Sequence, residues 1–207
     1  MKCTKVFLAD AGSTDGTQEV AMSFAGQLDI EVISGGLPSV GRNAGARRAT
    51  TPYVLFIDAD MELRDTTLLR RAMELAGRRR LHCVTANIWC SQGSVRDQIL
   101  YCASNIAQYG SLLVKPFSTG MFMLFEKATF DRLGGFHEQA LYAEDYLLSK
   151  KVRSRRFGIV SGCIHTTNRR FRSMGHLKIV GMFLKTMVNS WNDNYFLRDH
   201  GYWRQKV

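Results

Sequence analysis

The sequence predicts an α/β domain whose mostly parallel sheet is covered by helices on both faces. Short, fully apolar runs at Val6-Phe7-Leu8-Ala9, Ile30 to Ile33 and Tyr53-Val54-Leu55-Phe56-Ile57 alternate with segments of helical period. Strands buried on both faces read as continuous apolar runs of this kind. The first and third runs each stop at a carboxylate, Asp10 and Asp58. Ligands of open parallel sheets bind beyond the carboxyl ends of the strands, so both positions are candidate site residues.

The elements follow in order. Turn formers crowd into Asp10-Ala11-Gly12-Ser13-Thr14-Asp15-Gly16-Thr17. Asp15 and Gln18 have the spacing of a capping box ahead of Val20, Ala21, Phe24 and Ala25, which recur at helical period. Gly35-Gly36-Leu37-Pro38 breaks the chain before a helix expected over 42–49. Further on the pattern predicts a helix over 66–77, a strand near 83–89 and a helix over 95–109. Ser118 to Phe125 reads as a buried strand, followed by a short helix that Gly134-Gly135 ends. Glu144 and Asp145 open another helix. Beyond Ile159, Leu177, Val180, Leu184, Met187, Val188 and Trp191 fall on one stripe of a long amphipathic segment. We expect a main domain over 1–172 and a C-terminal amphipathic helix and tail over 173–207.

A chain of 207 residues, 45% of them hydrophobic, is long enough to bury one substantial core. Its 28 Lys and Arg against 18 Asp and Glu give a formal charge of +10, which favours anionic partners. No nucleic-acid motif accompanies that charge, so nucleic acid is not an expected partner. The five cysteines, Cys3, Cys83, Cys90, Cys102 and Cys163, are scattered and form no C-x-x-C pair. A reduced, cytoplasmic chain is the simplest reading. No apolar run is long enough to span a bilayer, so membrane contact is expected to be peripheral, on the cytoplasmic face.

Asp58-Ala59-Asp60 places two carboxylates one residue apart on the turn that ends a strand. Hard oxygen ligands so placed suit Mg2+ or Mn2+, with coordination positions left for substrate phosphates. The plainer alternative is that Asp60 caps the next helix and Asp58 bonds backbone groups. Arg42 and Asn43 stand at the start of a helix, where guanidinium and main-chain N–H groups suit phosphate. Arg169 and Arg170, within Asn168-Arg169-Arg170-Phe171-Arg172, could clamp a donor diphosphate, bind an acceptor phosphate, or face acidic lipids.

Five blocks in order resemble the family 2 glycosyltransferases, inverting enzymes of the GT-A, Rossmann-like fold. Asp10 to Thr17 looks like the family's D-D-G-S-x-D-x-T block, and Gly41-Arg42-Asn43-Ala44-Gly45 is similar to its A-R-N-x-G block. Asp58-Ala59-Asp60 matches D-x-D. Thr119-Gly120 with Leu133-Gly134-Gly135-Phe136-His137-Glu138 resembles its acceptor-side block, and Glu144-Asp145-Tyr146-Leu147-Leu148 matches E-D-x-x-L. The resemblance implies a donor site for a nucleotide-diphosphate sugar at Asp10, Ser13, Arg42, Asn43, Asp58, Asp60, Arg169 and Arg170. It implies Mg2+ or Mn2+ at Asp58, Asp60 and His165, and a general base at Asp145. Gly120, Gly134, Gly135, Phe136 and Glu144 would lie on the acceptor side, and the acceptor would be a glycan or a lipid-linked hydroxyl compound.

The resemblance departs at Ala11 and His137, and at the start. Family members carry a strand, loop and helix ahead of the block at Asp10, and here Met1 stands nine residues before it. The expectation is therefore an N-terminally truncated GT-A sheet with unpaired backbone where that strand would lie. A catalytically impaired domain that binds nucleotide sugar or a membrane surface is the competing expectation.

Overall fold

The computed structural model describes residues 4–201. The elements run β1 (Lys5–Asp10), α1 (Thr17–Met22), β2 (Asp29–Ser34), α2 (Pro38–Arg48), β3 (Tyr53–Ile57), α3 (Leu68–Arg79), β4 (Cys83–Cys90) and α4 (Val95–Ser111). There follow β5 (Phe122–Glu126), α5 (Lys127–Arg132), α6 (Glu144–Ser149), β6 (Phe157–Thr166), α7 (Arg169–Met174) and α8 (His176–Val188), with short 3-10 turns at Ser154–Arg156 and Asp193–Leu197.

The strands form two sheets. β1 and β2 pair in parallel, from Lys5 opposite Asp29 to Asp10 opposite Ser34. The other sheet has the order β3-β5-β4-β6, with β5 antiparallel to both neighbours and β4 parallel to β6. Among the described residues β1 pairs only with β2, and β3 only with β5. β1, which ends in Asp10, and β3, which Asp58 follows, thus lie in separate sheets. Helix α2 nevertheless covers both pieces. A Cβ on Gly41 would stand 2.9 Å from the Ala9 side chain and one on Gly45 3.4 Å from Phe7, while Ala46 joins the apolar cluster around Phe56. Gly41 therefore has a packing reason: any side chain would push the helix off β1.

A small cluster gathers Ala140, Leu147 and Phe196, and two larger ones form the rest of the core. In one, Leu68, Ala72 and Ala76 of α3 pack on Val84, Ala86 and Ile88 of β4 and on Val160 and Ile164 of β6. In the other, four rings meet: Phe56 lies 5.1 Å from Phe130 and 5.0 Å from Phe136, and Phe125 lies 5.8 Å from Phe130. Aromatic pairs with tilted or edge-on geometry at such spacings gain attraction beyond their buried area. This ring cluster ties β3 and β5 to α5 and to the loop after it.

Several boundaries differ from the sequence reading for identifiable reasons. The Asp15–Gln18 capping box does not form. Asp15 Oδ1 instead accepts from Thr17 N and Oγ1, Gly16 takes φ 82° at the helix start, and Gln18 Nε2 donates to Asp10 Oδ2 at 2.7 Å. A capping box does open α4, from Ser94 and Asp97. α2 starts at Pro38, four residues before the expected start, because proline in the first turn has the helical φ and needs no donor. β5 starts only at Phe122, because Ser118 N donates to Ser149 Oγ and Gly120 N to Asp145 Oδ2, drawing that backbone to α6.

Candidate active site

The first part of the site forms where β1 ends. Asp10 Oδ1 accepts from Ser13 Oγ at 2.5 Å, and Oδ2 accepts from Gly12 N, Ser13 N and Gln18 Nε2. The Ser13 and Gln18 bonds hold this half-buried carboxyl down at about 2, so it is charged throughout the neutral range. It borders a cavity of about 480 Å³ whose other walls include Ala11, Gly12, Val32 and Gly35. Gly35 is required there, since a Cβ would stand 2.7 Å from the Asp10 carbonyl carbon.

The second part centres on Arg42. Its Nη2 donates to Asp58 Oδ1 and its Nη1 to Glu144 Oε1, each at 2.5 Å. The guanidinium also stands 5.3 Å from the centre of the Phe136 ring and closes over Gly120, where any Cβ would overlap it. One arginine thereby joins the turn after β3 to the first turn of α6. Planar, forked donors suit this two-carboxylate bridge, and a lysine could not span it in the same way. Neighbouring Asn43 is spent on structure: Nδ2 donates to Phe136 O at 2.8 Å, and Oδ1 accepts from Phe136 N at 2.9 Å. Replacing Asn43 with Ala orphans both buried backbone groups. We expect a loss of about 1–3 kcal/mol of stability, read from urea unfolding.

Asp145 lies beside this bridge. Its Oδ2 accepts from Gly120 N at 2.5 Å and Oδ1 from Tyr146 N at 2.7 Å. Burial, then the charge of Glu144, push its pKa up to about 7, opposed by Arg42 and the two backbone N–H bonds. A carboxylate raised to the working pH is suited to accept a proton there. Ala143, in the left-handed region at φ 51°, leads the chain into α6 at the angle that presents this pair.

The third part is the turn after β3. Asp60 Oδ2 accepts from Arg169 Nη2 at 2.8 Å, which brings α7 over the Asp58–Asp60 turn. His165 reaches the same turn through backbone bonds, donating to Glu62 O at 3.0 Å and accepting from Glu62 N at 2.8 Å. Its Nδ1 is 2.6 Å from Ser91 Oγ. Among the described residues no three His, Cys, Asp or Glu side chains gather as a metal site. The donor set still fits a hard divalent cation: two carboxylates on one turn, completed by diphosphate oxygens and water, is how Mg2+ is usually bound. Arg42 and Arg169 neutralise those carboxylates in the structure.

Comparisons with known proteins identify the family and the fold. The model of the family described as Glycosyl transferase family 2 matches residues 4–134. The chain belongs to that family. The family 2 match spans β1 to α5, including Asp10, Arg42 and the Asp58–Asp60 turn, and stops before Asp145. No match was found among curated protein sequences. Among solved structures, TarS from S. aureus (residues 1–349) is similar with a TM-score of 0.59 at 18% identity, over 80% of this chain and 52% of that one. A second structure of it, in complex with UDP, has a TM-score of 0.59 at 17% identity, over 79% and 51%. The mannosyltransferase PcManGT from Pyrobaculum calidifontis, in complex with GDP-Man and Mn2+, has a TM-score of 0.61 at 18% identity, over 87% and 55%. The family 2 chain therefore has the α/β GT-A fold and spans about half the length of the solved structures it matches.

Arg42 joins Asp58 and Glu144, with Asp145 and Gly120 beside them and Arg169 on Asp60, while Asp10 and Ser13 form their own cluster where β1 ends. Phe136, Gly134 and Gly135 lie in the loop that Asn43 holds, with Phe136 only 1% exposed in the ring cluster. Arg170 lies on α7 next to Arg169, and its charge acts on Tyr101 and Tyr142. Sequence reasoning missed Gln18 as a partner of Asp10. It also missed Asp97, 2% exposed, which accepts from Asn168 Nδ2 and contacts His176 Nε2 at 2.6 Å, holding α7 and the start of α8. Ser94-x-x-Asp97 was a signal for the cap but not for this second role.

Proposed function

We propose that the chain is the catalytic part of a metal-dependent, inverting glycosyltransferase that moves a sugar from a nucleotide-diphosphate donor to an acceptor hydroxyl. One observation carries this reading: Arg42 joins Asp58 to Glu144, so the diphosphate end and the base end of the site converge on one side chain. Asp10, Ser13 and the cavity beside them would take the nucleoside. Asp58 and Asp60, with His165 close by, would hold Mg2+ or Mn2+, which when bound supplies Lewis-acid neutralisation of the leaving diphosphate. Arg169 and Arg170 would add positive charge at the diphosphate oxygens once Arg169 turns from Asp60.

In the transfer itself Asp145 takes the proton of the acceptor hydroxyl as that oxygen bonds to the anomeric carbon. The bond from that carbon to the diphosphate oxygen breaks, and the electron pair leaves with the nucleoside diphosphate. Glu144 and the Gly120 and Gly134-Gly135 backbone would border the acceptor. The acceptor would be a glycan or a lipid-linked compound, and a phosphate on the latter would complement the basic charge of the chain. Contact with an anionic membrane through α8 belongs to the same proposal, and no helix among the described residues is long and apolar enough to cross one.

A second reading has its own support: among the described residues β1 pairs with β2 alone, beside the nucleoside cavity. On that reading the domain binds nucleotide sugar without turnover. Thermal shift with a panel of nucleotide sugars, with and without Mn2+, separates the possibilities when paired with product detection. A Mn2+-dependent shift that Asp60→Asn removes, together with released nucleoside diphosphate, is expected. A shift with no turnover on any acceptor would favour the second reading, and no shift with any donor would overturn both.

A further inference from the structure

Helices α4 and α8 both expose faces that their sequences would bury. On and just after α8, Leu177, Leu184, Val188 and Trp191 are all exposed, Leu177 by 91%. At 100° per residue they fall within a stripe narrower than about 90°. The opposite face packs inward, with Phe183 6.2 Å from Phe117 and Thr186 bonded to Tyr142. On α4 and just beyond it, Val95, Ile99, Ile106 and Leu113 repeat the pattern, Leu113 being 89% exposed.

The two helices are neighbours at both ends. His176 at the start of α8 meets Asp97 in the first turn of α4, and Lys115 just past α4 stands 4.3 Å over the Trp191 ring just past α8. The helices therefore run side by side in the same direction. Each helix thus leaves an apolar stripe to water, and the longer run of large apolar side chains, Leu177 to Trp191, is more than a soluble surface ordinarily exposes.

Charge says what covers it. From residue 146 to 192 the chain carries ten Lys or Arg and no Asp or Glu, and from 98 to 125 it again carries no acid. Lys178 and Lys185 border one side of the α8 stripe, and Lys115 stands at its end. A second copy packed on this face by two-fold symmetry would set like charges together. Among the described residues Arg172 has no acidic partner, and it lines a cavity of about 570 Å³ with Gln92, Thr167, Asn168, Arg169 and Ser173. Guanidinium, hydroxyl and amide donors around one opening suit a phosphate.

We propose that the apolar stripe of α8, with the basic side chains around it, docks on an anionic lipid bilayer and that Arg172, with its cavity, seats a lipid phosphate. This deepens the membrane contact of the proposed function by naming the surface and the headgroup chemistry. Co-sedimentation with phosphatidylcholine vesicles, with and without phosphatidic acid, tests it. The parent chain is expected to partition at least about tenfold better onto the anionic vesicles, since each basic side chain near such a surface contributes about fivefold. The double variant Leu184→Glu with Val188→Glu, exposed positions whose change spares the core, is expected to lose binding. Arg172→Gln is expected to weaken it about fivefold, against less than about twofold for Arg79→Gln on distant α3. Circular dichroism melts check that each variant folds.

Equal binding to neutral and anionic vesicles, or full binding by the double variant, would overturn the docking face. A parent dimer that the double variant dissociates would assign the face to a second copy instead. Equal effects of Arg172→Gln and Arg79→Gln would remove the phosphate seat. The nucleotide-sugar thermal shift is measured on the same samples: vesicle binding without that shift sinks the glycosyl-transfer reading alone, and the shift without vesicle binding sinks the docking proposal alone.

Discussion

Replacing Asp145 with Asn is expected to lower transfer by about 10²–10⁴-fold while nucleotide-sugar binding persists. The amide keeps the shape of the carboxyl, and its oxygen can still accept from Gly120 N or Tyr146 N, so the start of α6 stays in place. It cannot take a proton from the acceptor. The folded-state carboxyl is raised to about 7 by burial and by Glu144. A base must be deprotonated to work, so kcat/KM of the parent should rise with pH through about 7 and level off above it. Glu144→Gln removes the like charge that raises Asp145, so its profile should move to lower pH. A profile flat from pH 5 to 9 in the parent, with product formation intact in Asp145→Asn, would assign the base elsewhere. Steady-state rates with the best donor of the thermal-shift panel supply both readouts.

The sequence made the frame of this site legible because its strands are uniformly apolar and end in carboxylates. Asp10 and Asp58 could be placed at strand ends from the runs that precede them, and both stand there. Glu144 and Asp145 were readable as the opening of a helix, which α6 is. What periodicity could not show is how the charged groups pair across distant elements. Arg42 reads as a free helix-start cation, yet it is fastened to residues 16 and 102 positions away. Asn43, by the same token, reads as a ligand and serves as a loop clamp.

Helical period was also ambiguous about which face packs. The stripe from Leu177 to Trp191 is apolar enough to be taken as the buried side. The structure instead packs the side bearing Phe183 and Thr186, because those reach Phe117 and Tyr142. Local chemistry decided the capping of α1 in a similar way. Gln18 had two uses within reach, the backbone before Thr17 and the carboxylate of Asp10, and the charged acceptor makes the stronger bond.

Arg42→Met is expected to cost about 3–5 kcal/mol of stability, more than any single change at the rim of the site. Its side chain is 13% exposed and that of Glu144 only 8%, so methionine would leave Glu144 charged, enclosed and without its partner. The apolar replacement still packs against Phe136, which keeps the loss electrostatic in origin. The same change acts on Asp145, because Arg42 is the charge that lowers its pKa. Without the guanidinium the carboxyl should hold its proton to higher pH, and whatever activity remains should rise later than in the parent. Adding Glu144→Gln to Arg42→Met removes the stranded charge. That double variant should recover part of the lost stability and draw the profile back toward lower pH. Urea unfolding at pH 7 measures the first effect and a kcat/KM profile the second. Additive losses in the double variant would mean that Arg42 and Glu144 do not interact, and the bridge would then have no role in setting the base.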